Sequence, residues 1–225
     1  MRGHRGGGRW PTRLVVVVAL AGAAVACAGP SPDQTSWPEL RASSGAGAPS
    51  RTATATPVPT SPESQNPARF AAQVLASAGK AGINPTLLMA ILYNESDKPH
   101  DPALERAWQT IKPDAAFGIA NMHKAAFDEA KQGRDLANHD WSELPDNPDL
   151  AIEAAAWHLH DLAAQLPSTW SGPFTRDELL ALGYNAGASA MTAFTQGKAP
   201  GPIAQSYLER LHTNWTAAEQ AIHRA

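Results

Sequence analysis

The segment from Asn84 to Ser96 constrains the fold more than any other part of this sequence. Asn84 suits a helix N-cap, and Pro85 suits the first helical position, where its missing N–H costs nothing. Glu95 follows Ile91 by four residues and therefore lies on the helix's apolar face. The pattern predicts a helix whose apolar face continues to a carboxylate at its C-terminal end. The apolar face consists of Leu87, Leu88, Ile91 and Leu92.

At such a position, two effects disfavour the charged form of Glu95. One is desolvation by apolar neighbours, and the other is the negative end of the helix dipole. A general acid that works near neutral pH needs this environment, because it must hold its proton until the scissile bond breaks. A glutamate at a helix end can equally turn outward into solvent, and this segment leaves both interpretations open.

The charge of the chain excludes one large class of partner. The formal net charge is −3, but the first 26 residues hold four arginines and no acid. The remainder therefore carries 14 basic against 21 acidic residues, a net charge of −7. We expect no nucleic-acid partner, because a phosphate backbone selects clustered Lys and Arg. The single cysteine, Cys27, excludes an internal disulfide and a cysteine-based structural zinc site.

The N-terminal 26 residues have the layout of a signal peptide. The arginines precede an apolar run from Leu14 to Ala26, which is short for a membrane-spanning helix. The run ends Ala24-Val25-Ala26 directly before Cys27, and this resembles a bacterial lipobox, although that motif most often has Leu at the place of Ala24. We expect residues 1–26 to be removed and Cys27 to carry a lipid that anchors the protein in the membrane. Plain secretion is the alternative.

Residues 27–66 are predicted to be a disordered linker. From Ala28 to Asn66, 28 of 39 residues are Pro, Ser, Thr, Ala or Gly. Such a composition buries too little apolar surface to offset the entropy of ordering the chain. A linker of this kind would hold a following domain away from a membrane surface.

Residues 67–225 show a series of helical patterns and little of the alternation that marks strands. We expect a single, mostly α domain with room for a short β-hairpin between Ile111 and Asn121. The predicted helices span residues 67–82, 84–96, 103–108, 121–131, 147–165, 175–184, 188–195 and 203–223.

Four motifs in order resemble those of the soluble lytic transglycosylase (SLT) domain, a member of the lysozyme-like superfamily. That family has Glu-Ser, Gly-Leu-Met-Gln, Ala-Tyr-Asn and a late Tyr before aliphatic residues, in this order. The resemblance covers about Pro67 to Leu211. The matching segments are Glu95-Ser96, Gly118-Ile119-Ala120-Asn121, Gly183-Tyr184-Asn185 and Ser206-Tyr207-Leu208.

The resemblance implies a lysozyme-like fold and cleavage of peptidoglycan glycan strands without a cofactor or metal. Glu95 would protonate the glycosidic oxygen between N-acetylmuramic acid and N-acetylglucosamine. It would then take the proton of the muramoyl 6-hydroxyl as a 1,6-anhydro ring closes. An internal hydroxyl makes the usual second carboxylate unnecessary. We expect the protein to act as a monomer.

The resemblance also implies roles for three polar residues near Glu95. Ser96 would position the glycan, or else bond to the helix end. Tyr184 would donate a hydrogen bond to Glu95, or else serve as a structural ring. Asn185 would be a buried polar support near the cleft, or else a residue that ends its helix.

The middle motif departs from the family pattern, since Ile119-Ala120-Asn121 replaces Leu-Met-Gln. Gly118 keeps the backbone freedom to approach a sugar closely. Asn121 keeps an amide on a shorter side chain, and Ala120 removes the bulk of Met. We expect the fold to persist and the shape of the glycan subsites to differ.

Two other functions remain open. Goose-type lysozymes share the fold and use an aspartate to position water, and Asp114 or Asp97 would be that second carboxylate here. A non-catalytic peptidoglycan-binding lipoprotein is the other alternative, suggested by the altered motif. Glu95 and Tyr184 argue against it, because a binding groove needs neither.

The histidines and aromatic residues have simpler interpretations. His158 and His160 lie two apart on a predicted helix and face different sides, so they cannot share a metal. With His123 and His139 they are interpreted as surface or capping residues. Trp108 and Phe117 could stack on sugar rings, although core packing is the commoner use of an aromatic side chain.

Overall fold

The structure, a computed structural model, describes residues 66–96, 100–112 and 114–225. The predicted signal peptide, Cys27, the linker up to residue 65 and Asp97 lie outside the described residues. Within the described ranges, no helix is both long and apolar enough to cross a membrane.

The described part of the chain is built from eight α-helices, and the prediction of a mostly α domain is confirmed. Short 3-10 turns lie at Pro67–Phe70, Asp135–Asn138 and Trp141–Glu143. The helices are α1 Ala71–Ala81, α2 Pro85–Glu95, α3 Pro102–Ile111, α4 Lys124–Ala130, α5 Pro148–Ala164, α6 Arg176–Ala186, α7 Ala188–Thr195 and α8 Pro202–His223.

The helices begin where capping residues stand in the sequence. The Asn84 side chain accepts from Thr86 N at 2.9 Å, and Asn147 does the same for Leu150 at 3.1 Å. The predicted helix from residue 121 begins instead at Lys124, because Asn121 has a left-handed backbone with φ of 46° and belongs to the preceding turn.

Helix α2 lies in the centre of the core. Every residue from Leu87 to Leu92 is shielded from solvent. It packs most extensively against α8, while α1 packs on α5 and α6 on α7. The C-terminal end of α2 therefore delivers Glu95 to a point enclosed by other elements.

The expected hairpin is reduced to one pair of residues. Phe117 and Met122 exchange backbone hydrogen bonds at 3.1 and 2.9 Å. Among the described residues this bridge is isolated and is not part of a longer strand. It encloses Gly118, Ile119, Ala120 and Asn121, which we call the 118–121 turn.

Candidate active site

Glu95 points inward, which decides between the two interpretations of its position. Only 6% of the residue is exposed. The hydroxyl of Tyr207 donates to Glu95 Oε1 at 3.1 Å, and the side-chain amide of Asn121 donates to Oε2 at 2.9 Å. Both carboxylate oxygens are thus held by neutral donors from different parts of the chain.

Tyr207 is a fully enclosed donor on α8. Burial first, and the nearby Glu95 charge second, raise the pKa of Tyr207 well above its usual range, so the hydroxyl keeps its proton. Asn94, beside Glu95, donates to the carbonyl oxygen of Tyr207 at 3.0 Å and accepts from Asn214 at 2.8 Å. These bonds fix α8 against α2 at the level of the Tyr207–Glu95 contact.

The predicted hydrogen bond from Tyr184 to Glu95 is wrong. The Tyr184 hydroxyl donates to the carbonyl oxygen of Ala120 at 2.7 Å, and its single proton cannot serve both acceptors. Burial of the hydroxyl, followed by the nearby Glu95 charge, raises the pKa of Tyr184 well above its usual range. Tyr184 thus holds the 118–121 turn in place. The hydrogen bond to Glu95 that was expected from Tyr184 is made by Tyr207.

The 118–121 turn depends on two residues with left-handed backbone. Gly118 has φ of +69°, and a Cβ there would lie 2.7 Å from Leu144 O and 3.2 Å from Ala151 Cβ. The glycine therefore allows the turn to pack on the start of α5, which differs from the expected close approach to a sugar. Asn121 has φ of 46°, and Asn is among the residues that tolerate this conformation.

Ser96 and Asn185 take the simpler of their expected roles. The Ser96 hydroxyl donates to the carbonyl oxygen of Tyr93 at 2.8 Å, at the end of α2. A substrate contact through its lone pairs stays a prediction. Asn185 is exposed, so the expected buried support is wrong, because this position in the last turn of α6 faces solvent just before Gly187.

The candidates for a second carboxylate are placed differently. Asp114 is exposed, and its carbonyl oxygen lies 2.9 Å from His123 Nδ1. Asp97 lies outside the described residues. Asp101, a third aspartate between Glu95 and Gly118, caps α3 by accepting from Leu104 N at 2.9 Å.

Sequence reasoning missed a carboxylate that does reach the site. Glu105 Oε2 accepts from the Gly118 N–H at 3.0 Å, and Oε1 lies 3.0 Å from His100 Nδ1. His100 Nε2 lies 3.1 Å from the Glu95 carbonyl oxygen. An acidic residue in the first turn of a helix is ordinary in sequence, so no signal marked Glu105.

His160 follows its interpretation as a capping residue, and His158 does not. The described residues contain no group of three or more His, Cys, Asp or Glu able to hold a metal. His160 bonds to the carbonyl oxygen of Ala81 at 2.7 Å, which is a capping contact. His158 differs, because it packs edge-on against Tyr184 at 5.5 Å and burial lowers its pKa. Phe117 belongs to the core, stacked on Trp141, and Trp108 is partly exposed.

Comparison with known families gives a match that covers most of the described helices. The family model described as "Transglycosylase SLT domain" matches residues 73–202, which is more than half of the chain. The matched range includes Glu95, the 118–121 turn and Tyr184, and it ends before Tyr207. A comparison with curated proteins finds no match.

Proposed function

The chain belongs to the transglycosylase SLT domain family of the lysozyme-like superfamily, and from this premise we propose that it is a peptidoglycan lytic transglycosylase. At the level of the family, the match supports action on peptidoglycan. The bond that we assign is the β-1,4 linkage from N-acetylmuramic acid to N-acetylglucosamine, and the product carries a 1,6-anhydro ring.

Glu95 acts twice in the proposed reaction. Its protonated carboxyl gives a proton to the glycosidic oxygen, and the electron pair of the breaking C1–O bond stays with that oxygen. The carboxylate then takes the proton of the muramoyl 6-hydroxyl while O6 bonds to C1. No water is consumed, and because the nucleophile belongs to the substrate, one carboxylate suffices.

The observation that carries this proposal is the setting of the Glu95 carboxylate. It is buried at 6% exposure and held at both oxygens by Tyr207 and Asn121. Both donors are neutral, so they orient the carboxyl without adding charge to the site. A carboxyl that must give and then take a proton needs this fixed direction toward the substrate. We assign Tyr184 the role of holding the turn that carries Asn121.

The test is incubation of the purified chain with peptidoglycan sacculi and mass spectrometry of the soluble fragments. We expect anhydromuropeptides from the wild type, none from Glu95→Gln, and wild-type release from Glu129→Gln, a matched change at an exposed glutamate.

Two results would contradict this proposal in different ways. Fragments with reducing muramic ends and no anhydro product would assign the goose-type hydrolytic reaction. No release by the folded wild type, together with binding to sacculi, would assign the non-catalytic wall-binding function.

We also propose that Cys27 carries a lipid that holds the enzyme at the membrane, facing the cell wall. The lipobox-like residues Ala24 to Cys27 and the Pro- and Ser-rich segment after them support this. Palmitate labelling in cells should mark the wild type and not Cys27→Ser. Labelling that persists in the variant, or is missing from both, favours plain secretion.

A further inference from the structure

We propose that His100 and Glu105 form a positioning pair that holds the 118–121 turn at a fixed distance from Glu95. The proposal deepens the proposed function and rests on it. Neither residue touches the reacting atoms in the mechanism above. Their effect on catalysis passes through Asn121, which orients the Glu95 carboxylate.

The pair closes a path of hydrogen bonds that begins and ends at Glu95. From the Glu95 carbonyl oxygen the path runs to His100 Nε2 at 3.1 Å, from His100 Nδ1 to Glu105 Oε1 at 3.0 Å, and from Glu105 Oε2 to Gly118 N at 3.0 Å. Within the turn, Asn121 N donates to Gly118 O at 2.8 Å. The Asn121 side chain then returns to Glu95 Oε2 at 2.9 Å.

The location of the pair indicates a role beyond packing. None of the residues of α3 is buried, so this helix contributes little to the core. Glu105 nevertheless turns inward with 11% of its side chain exposed, and His100 has 15% exposed. Burying a carboxylate is costly unless it is fully hydrogen-bonded, and here both of its oxygens are bonded to the site.

The two hydrogen bonds of His100 together require a defined number of protons. His100 Nε2 faces a carbonyl oxygen, which only accepts, and Nδ1 faces a carboxylate oxygen. Both bonds therefore form only when His100 and Glu105 together carry two protons.

Glu105→Gln makes a discriminating variant. Its amide oxygen can accept from Gly118 N, and its NH₂ can donate to a neutral His100 Nδ1 while Nε2–H still donates to Glu95. The Gln variant thus keeps the whole path with one proton fewer. Glu105→Ala breaks the path on both sides of residue 105.

The first test is kinetic, with anhydro-product release from purified glycan strands measured over a range of substrate concentrations. We expect Glu105→Ala to lower kcat by roughly 10-fold or more at little change in KM, because misplacing a catalytic group slows the chemical step. We expect Glu105→Gln to keep kcat near wild type, because its amide keeps both hydrogen bonds of residue 105.

The control is Arg106→Ala, which breaks the ion pair of Arg106 with Asp146 on the exposed side of α3. It loosens the same helix without touching the path, so we expect wild-type kcat. An equal loss in Arg106→Ala, or a Gln variant as slow as the Ala variant, would overturn the positioning role.

The second test does not depend on activity, so it separates this proposal from the proposed function. Amide hydrogen exchange followed by NMR should show the Gly118 N–H protected in the wild type and in Glu105→Gln, and exchanging faster in Glu105→Ala. Unchanged protection in Glu105→Ala would refute the proposed role of the hydrogen bond from Gly118 N–H to Glu105, even if the enzyme is active. A wild type without anhydro product refutes the proposed function, and with it the catalytic effect of the pair.

Discussion

At the scale of single residues, the Glu95 carboxylate depends on a hydroxyl that lies more than a hundred residues further along the chain. Tyr207 approaches it from α8. Removing the Tyr207 hydroxyl leaves its ring in the core and takes one donor from the carboxylate. Such a change separates orientation of the acid from packing of the fold.

We predict that Tyr207→Phe lowers kcat for anhydro-product release by roughly 10- to 100-fold, the usual worth of a hydrogen bond to a charged group. The melting temperature should change little, because the ring is kept. Tyr93→Phe is the matched control, since among the described residues the Tyr93 hydroxyl makes one long hydrogen bond, of 3.4 Å to Asn66. Equal activity of Tyr207→Phe and the wild type would remove Tyr207 from the site.

Asn121 allows backbone and side-chain effects to be separated. Its φ of 46° favours glycine over alanine by about 1 kcal/mol, whereas both replacements lose the amide that donates to Glu95. We predict similar losses of kcat in Asn121→Gly and Asn121→Ala, and lower stability to urea only for alanine. A glycine variant with full activity would show that the amide is dispensable.

Residue-level prediction from the sequence came closest where a side chain's own helix limits the directions that it can take. The apolar face of α2 included Glu95 but left an inward and an outward direction open, and the structure shows the inward one. The order of the motifs predicted that Tyr184 lies near the site. It could not predict which tyrosine hydroxyl reaches the Glu95 carboxylate, because the order of motifs along the chain gives no distances. Glu105 was missed since its partners, Gly118 and His100, come together only in the folded chain.

At the scale of elements, the 118–121 turn is held from three directions. Tyr184 of α6 binds the carbonyl oxygen of Ala120, Glu105 of α3 binds Gly118 N, and Leu144 lies close to Gly118. The sequence predicted the turn from Gly118, but as a place where a sugar approaches the backbone. The contact of Gly118 with Leu144 was not predicted, because the two residues are distant in sequence.

We predict that Gly118→Ala destabilises the protein by about 2–4 kcal/mol, from the left-handed backbone together with the clash at Leu144 O. Gly133→Ala is the control, since Gly133 has nearly the same φ of +68° and nothing within 4 Å of an added Cβ. Urea unfolding of both variants isolates the clash as their difference. Equal losses would mean that the turn can move away from α5 at no cost.

The limits of the helices were predicted mainly from caps. Asn84-Pro85 and Asn147-Pro148 begin α2 and α5 as expected, since a cap acts within one turn of its own residue. The start of α4 was set three residues too early, because Asn121 reads as a helix start when its left-handed backbone is unknown.

At the scale of the whole molecule, the candidate active site lies where the core meets the 118–121 turn. His158 of α5 lies edge-on to Tyr184, which in turn binds Ala120. Burial lowers the pKa of His158, and the opposing attraction of Asp161 is the smaller effect. His158 therefore stays neutral in the folded protein at a pH where the unfolded chain already binds a proton there.

This arrangement predicts a fall in global stability on acidification. Because the folded pKa of His158 lies below that of the unfolded chain, the unfolded state binds more protons, so the free energy of unfolding decreases as the pH falls below about 6.5.

The measurement is urea unfolding of the wild type, His158→Gln and His223→Gln at about pH 7.5 and about pH 5.5. Comparing the two pH values within each variant cancels the constant loss of packing at residue 158. We expect a smaller fall in His158→Gln, and a wild-type fall in His223→Gln because His223 is exposed. The same fall in all three proteins would place the acid sensitivity elsewhere and leave His158 as a packing residue only.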